Sequence, residues 1–137
     1  MIKLRPSHQV FYQIASFLLL SVLSLGLSAN VTTIPQQALL DKIASDTPLL
    51  ILDVRTPEEY VEGHVPNAIN IPHDEIKQQV SLIAQAESEG KEIVVYCRSG
   101  RRAGYVESVL HSSGIRSLHH LEGDMNAWTK SNHPTER

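Results

Sequence analysis

The sequence from residue 30 onward predicts an α/β domain, a central parallel β-sheet flanked by helices on both faces. Strand and helix signals alternate along that stretch, the pattern of parallel strands joined by helical crossovers. Two of the strands, Leu49-Leu50-Ile51-Leu52 and Ile93-Val94-Val95-Tyr96, are continuous apolar runs rather than alternating ones. That is the mark of a strand covered on both faces. With 137 residues the chain has room for one such domain and one core, and it shows no repeat or low-complexity tract.

Residues 1–29 read as a leader. Lys3 and Arg5 supply a positive start, Phe17 to Leu27 an apolar run, and Leu27-Ser28-Ala29 a small-residue cleavage site. Cleavage after Ala29 would export residues 30–137, to the periplasm in a bacterial cell. Left uncut, Val10 to Ala29 is long enough to anchor the chain in a membrane. Removing the leader takes away two cations and no acid, which moves the net charge from −3 to −5. An acidic domain is a poor partner for nucleic acid or an anionic membrane surface. Nothing in the sequence demands a second subunit, and a monomer is the expectation.

The elements follow in order. Pro35 suits the first position of a helix running to about Ala44, with Leu39, Leu40 and Ile43 on its apolar side. After the strand at residues 49–52, Thr56 can cap a short helix with Pro57 at its first position and Glu58 and Glu59 in its first turn. Gly63 to Asn67 is turn chemistry, and Ala68 to Ile71 a short strand. Asp74 to Glu89 carries Ile76, Val80, Ile83 and Ala84 on one face and stops at Gly90, so a helix is predicted there. The strand at residues 93–96 leads to a helix from about Arg101 to Ser112, burying Ala103, Val106, Val109 and Leu110. Ser117 to Leu121 is the last strand, and Asp124 to Lys130 a final helix that brings Met125 and Trp128 onto the core.

Cys97 is the one cysteine of the chain, and it stands where a buried strand breaks into the loop Arg98-Ser99-Gly100-Arg101-Arg102. In open α/β sheets ligands bind at the carboxyl ends of the strands. A thiol at that edge faces the N-terminus of the next helix, whose free N–H groups and partial positive charge favour the thiolate. Three arginines within five positions add to the field. A nucleophile or an anion site fits this setting, whereas a structural cysteine is more often enclosed in uncharged core. A single cysteine also leaves no internal disulfide partner.

Three segments carry a resemblance. Leu52-Asp53-Val54-Arg55-Thr56-Pro57-Glu58-Glu59-Tyr60 with Gly63-His64-Val65-Pro66-Asn67-Ala68-Ile69-Asn70-Ile71-Pro72, then Val95 to Ala103, then Leu121-Glu122-Gly123-Asp124-Met125-Asn126-Ala127-Trp128 resemble the signature segments of the rhodanese homology domain, in order, over about residues 32–134. Asp124 departs from the pattern, standing where the family usually has a second glycine. The resemblance implies a parallel sheet with flanking helices and backbone N–H groups of the cysteine loop aimed at its sulfur. It implies a sulfurtransferase in which Cys97 takes the outer sulfur of thiosulfate as a persulfide and passes it to cyanide or a thiol, with no cofactor or metal.

Two other readings stay open. A phosphatase or arsenate reductase uses a related loop of Cys, five residues and Arg; here Ala103 occupies that arginine's position and Arg102 comes one residue early. A shorter loop makes a narrower anion nest, better matched to one sulfur atom than to a phosphate. A non-catalytic persulfide carrier for a partner protein is the third reading. Within the loop, Arg98, Ser99, Gly100, Arg101 and Arg102 are the candidate substrate-binding residues. Arg98 is the expected contact to an anionic donor, and Arg101 is either a steering charge or a solvated one. Arg102 is expected to pair with Asp53 and hold the loop. Asp53 and Arg55 read as structural support, with substrate contact the alternative for Arg55. His119 and His120 fall on opposite faces of a strand and cannot share a metal, and His64 reads as a turn residue bonding to backbone.

Overall fold

The computed structural model describes residues 31–137; the expected leader over residues 1–29, and its anchor alternative, lie outside the described residues. Five parallel strands form one sheet in the order β1-β5-β4-β2-β3: β1 Thr32–Ile34, β2 Leu49–Asp53, β3 Ile69–Asn70, β4 Glu92–Tyr96 and β5 Leu118–Leu121. Helices α1 Gln36–Ala44, α2 Pro57–Glu62, α3 Val80–Ser88, α4 Arg101–Ser112 and α5 Asp124–Lys130 connect and cover it. Among the described residues no helix is long and apolar enough to cross a membrane.

The period of two along β4 divides the core into two layers. Ile93, Val95 and, past the strand's end, Cys97 face one side, where Ile83 of α3 and Ala103, Val106 and Leu110 of α4 close over them. Val94 and Tyr96 face the other, against Leu39 of α1 and Met125 and Trp128 of α5. Both layers are buried and apolar, which explains why β2 and β4 read as unbroken apolar runs. Trp128 is fully buried and its indole N–H donates to Pro134 O. The short α2 starts as its sequence predicts: Thr56 Oγ1 accepts from the Glu59 amide while the Glu59 carboxylate accepts from the Thr56 amide, with Pro57 at the first position.

Three expectations change. Thr32–Ile34 is a strand that the sequence reading did not assign; it pairs with β5 and is tied there by Thr32 Oγ1 to His119 Nδ1 at 2.7 Å. The helix expected over residues 74–89 is divided into a 3₁₀ turn, Ile76–Gln79, and α3. The tighter i→i+3 winding at its start drops Ile76 fully into the core. Pro35 caps α1 from outside rather than opening it.

The strand order sets the position of the site. From β2 the chain moves outward to β3, and from β4 it moves the opposite way to β5. The carboxyl ends of β2 and β4 therefore border a topological switch point, where an open parallel sheet leaves a crevice. Asp53 ends β2 and Cys97 follows β4 directly.

Candidate active site

Cys97 is 1% exposed, and its backbone is bound on both sides. Its amide donates to Asp124 Oδ1 at 2.8 Å, and its carbonyl accepts from the Met125 amide at 3.0 Å. The Arg98 carbonyl accepts from the Asn126 amide at 3.1 Å. The first turn of α5 thus spends its free N–H groups on the cysteine loop and fixes it. The sulfur receives the Gly100 N–H at 3.0 Å. Gly100 can present that amide because it sits at φ 106°, just ahead of α4, and because it has no side chain: a Cβ there would lie 3.1 Å from Asp124 Oδ2. The result is a thiol at the N-terminus of a 12-residue helix, with one backbone N–H on its sulfur.

On the β2 side, Asp53 is fully buried and takes all its side-chain bonds from Arg55 and Tyr96. It accepts from the Arg55 amide and guanidinium, the latter as close as 2.6 Å, and from Tyr96 Oη at 2.7 Å. Arg55 Nη2 also donates to Gly63 O, and the Tyr96 hydroxyl accepts from the Val65 amide. Burial, and then Asp53 beside it, push the Tyr96 hydroxyl far above its ordinary range. Asp53 and Arg55 therefore tie the end of β2 to Tyr96 of β4 and to the turn at Gly63.

Arg102 differs from its expected role. It does not pair with Asp53, whose oxygens Arg55 and Tyr96 already occupy. It forms a two-pronged pair with Glu59 of α2, at 2.7 and 3.0 Å. The Arg102 guanidinium holds the Glu59 carboxyl down to about 2, helped by the Thr56 amide. Glu59 in turn keeps Arg102 above its ordinary value, with the Cys97 sulfur as a further, weaker partner. Arg102 thus ties α2 to the first turn of α4. Arg98, Ser99 and Arg101 are exposed at the mouth of the loop. Arg98 also lines a cleft of about 530 Å³ shared with Glu59, Glu62, Asn126, Thr129 and Lys130. A groove of about 550 Å³ along Val80, Tyr105 and Val109 contains no residue of the loop.

A further cluster joins residues that are separate in the sequence. His120 of β5 lies between Glu107 of α4, at 2.5 Å from Nδ1, and Asp124 of α5, at 2.9 Å from Nε2. Its neighbour His119 faces the other way, toward Thr32 and Glu92, as strand alternation requires. His64 bonds Tyr60 O, the backbone role expected of it. Asp124, noted in the sequence only as a missing glycine, holds a left-handed φ of 54° that a short polar residue tolerates.

A family model described as "Rhodanese-like domain" matches residues 36–131. The chain belongs to the rhodanese-like family. It is 35% identical over 106 residues to the uncharacterized protein slr1261 of Synechocystis sp., covering 77% of this chain and 56% of that one. A sulfurtransferase of Allochromatium vinosum is 30% identical, covering 76% of this chain and 94% of its own. The crystal structure of a rhodanese-related protein from Thermoplasma volcanium superposes with a TM-score of 0.65 at 26% identity, over 77% of this chain and 97% of that one. This chain spans little more than half the length of slr1261 and of a relative named "Putative sulfur carrier protein YrkF" from Bacillus subtilis, and about a fifth of a tRNA uridine(34) hydroxylase of Photorhabdus laumondii. The domain is thus shared by sulfurtransferases and by proteins of different chemistry.

Proposed function

We propose that this protein is a thiosulfate sulfurtransferase. The observation that supports it best is the Gly100 amide on the Cys97 sulfur within a loop of only three residues before α4. The Cys97 thiolate attacks the outer sulfur of thiosulfate. The new S–S bond forms as the old one breaks, and its electron pair leaves with sulfite. Cyanide carbon or an external thiolate then attacks the terminal sulfur, giving thiocyanate or a persulfide and returning the Cys97 thiolate. Sulfite is a good leaving group, so backbone N–H donors to an anionic sulfur are the main requirement. Arg98 meets the anionic donor at the mouth; Ser99 and Arg101 complete that rim, and Arg102 acts from its pair with Glu59.

Phosphate chemistry is the weaker reading for two reasons. Arg102 is one residue short of the phosphatase spacing, and its guanidinium fork is already engaged with Glu59. With one cysteine the persulfide has no internal thiol to resolve it, so the acceptor comes from outside. An N-terminal leader would place that exchange in the periplasm. Replacing Cys97 by Ser tests the reading: cyanide-dependent thiocyanate formation should fall below about 1% of wild type, because oxygen cannot carry a sulfane sulfur. Retained turnover would reject it.

A further inference from the structure

The cluster of Glu107, His120 and Asp124 sits directly behind the cysteine loop. Asp124 spans the loop: Oδ1 accepts the Cys97 amide, and Oδ2 lies close under Gly100, the residue that donates to the sulfur. Its side chain is 4% exposed. A buried carboxylate so near an anionic sulfur would oppose the very charge the helix N-terminus favours. His120 answers this. It holds Asp124 Oδ2 at 2.9 Å, and its ring stacks close under Gly100, 3.7 Å from where a Cβ would be. On its other side it is anchored by Glu107.

We infer that His120 is a positioning residue for Cys97: as an imidazolium it balances Asp124, so that this carboxylate holds the loop by the Cys97 amide without repelling a negative sulfur. The assignment rests on Cys97 acting as the nucleophile proposed above. The charges are consistent with it. Asp124, first, and Glu107 push His120 up to about 10, so it carries its proton at neutral pH. The cluster is then one cation between two anions; without the cation it holds two unbalanced carboxylates. The strand neighbours of His120, Val95 and Thr33, bring no charge.

The test uses the domain with Cys97 intact and reads its alkylation rate by iodoacetamide at pH 7, beside the melting temperature. His120→Gln keeps a donor to Asp124 but loses the charge; alkylation should slow about tenfold. Adding Asp124→Asn removes the carboxylate that bonds the cysteine loop, leaving Glu107 on the far side of residue 120, and keeps an acceptor for the Cys97 amide. The double variant should alkylate within about twofold of wild type while remaining less stable than it. A purely structural His120 would leave rate tracking stability, with no rescue. Wild-type reactivity in folded His120→Gln, or a double variant that stays slow, overturns the assignment. Should His120→Gln not fold, Asp124→Asn alone decides: as fast as wild type or faster supports it, slower overturns it. Persulfide formation is measured separately on the same proteins. Its absence beside the predicted alkylation pattern would strike the sulfur-transfer reading and leave the role of His120 standing.

Discussion

Two buried ionic clusters flank the cysteine loop, one from β2 and one from β5, and they are built for different conditions. The β2 cluster joins Asp53 to Arg55 and Tyr96. Its cation is a guanidinium, which does not lose its proton in the physiological range. The β5 cluster joins Asp124 and Glu107 to His120, a cation that can. The β2 cluster holds strand ends and the turn at Gly63, and none of its bonds reaches Cys97. The β5 cluster bonds the Cys97 amide itself. Architecture is thus tied to a permanent charge, and the cysteine loop to a titratable one.

The largest expected difference between them is in stability. Asp53→Ala leaves the buried Arg55 guanidinium and the Tyr96 hydroxyl without their shared acceptor, and should cost about 3–5 kcal/mol in urea unfolding. Cys97→Ser, which keeps the backbone bond to Asp124 and changes no side chain of either cluster, should cost less than about 1 kcal/mol. A mild Asp53→Ala would mean that the β2 cluster is not the support described.

A second comparison is in pH. His120 is raised from 6.5 to about 10 in the folded protein, so its contribution is fully present below pH 6.5 and is lost as pH rises through 10. The stability gap between wild type and His120→Gln should therefore shrink by roughly 2–4 kcal/mol between pH 6 and pH 10.5. The gap between wild type and Asp53→Ala should persist over that window. Parallel behaviour of the two gaps would erase the contrast.

The smallest effect belongs to the pair that joins α2 to α4. Glu59 is lowered from 4.5 to about 2, so its contribution is present above pH 4.5 and fades as pH falls toward 2. Both side chains are about a quarter exposed, and solvent screening limits the pair to about 1 kcal/mol. Glu59→Gln should lose that amount at pH 7 and nothing further at pH 2.

These features differ in how far the sequence discloses them. The sheet and its helices are legible because their signals are local: apolar runs at β2 and β4, the Thr56-Pro57-Glu59 cap, and helical spacing along α4. The strand β1 is not, since three residues carry no period and the strand exists through its pairing with β5. Cys97 is legible as a lone cysteine between a strand and an arginine-rich loop. The partner of Arg102 is not, because Glu59 lies 43 residues away and only the folded chain brings it within reach of the start of α4. Asp124 reads as a lost glycine, and its bond to Cys97 crosses 27 residues. His120 reads as one of two strand histidines, and its carboxylates come from α4 and α5. Backbone preference is written in neighbouring residues, whereas charge pairing is decided between elements.

The central claim is that Cys97 carries a sulfur atom. The most direct test is the mass of the Cys97 peptide after brief exposure of the protein to thiosulfate, followed by cyanide. The account predicts one added sulfur on Cys97, absent in Cys97→Ser and removed stoichiometrically as thiocyanate. An unmodified Cys97, together with aryl phosphate hydrolysis that Cys97→Ser abolishes, would contradict it.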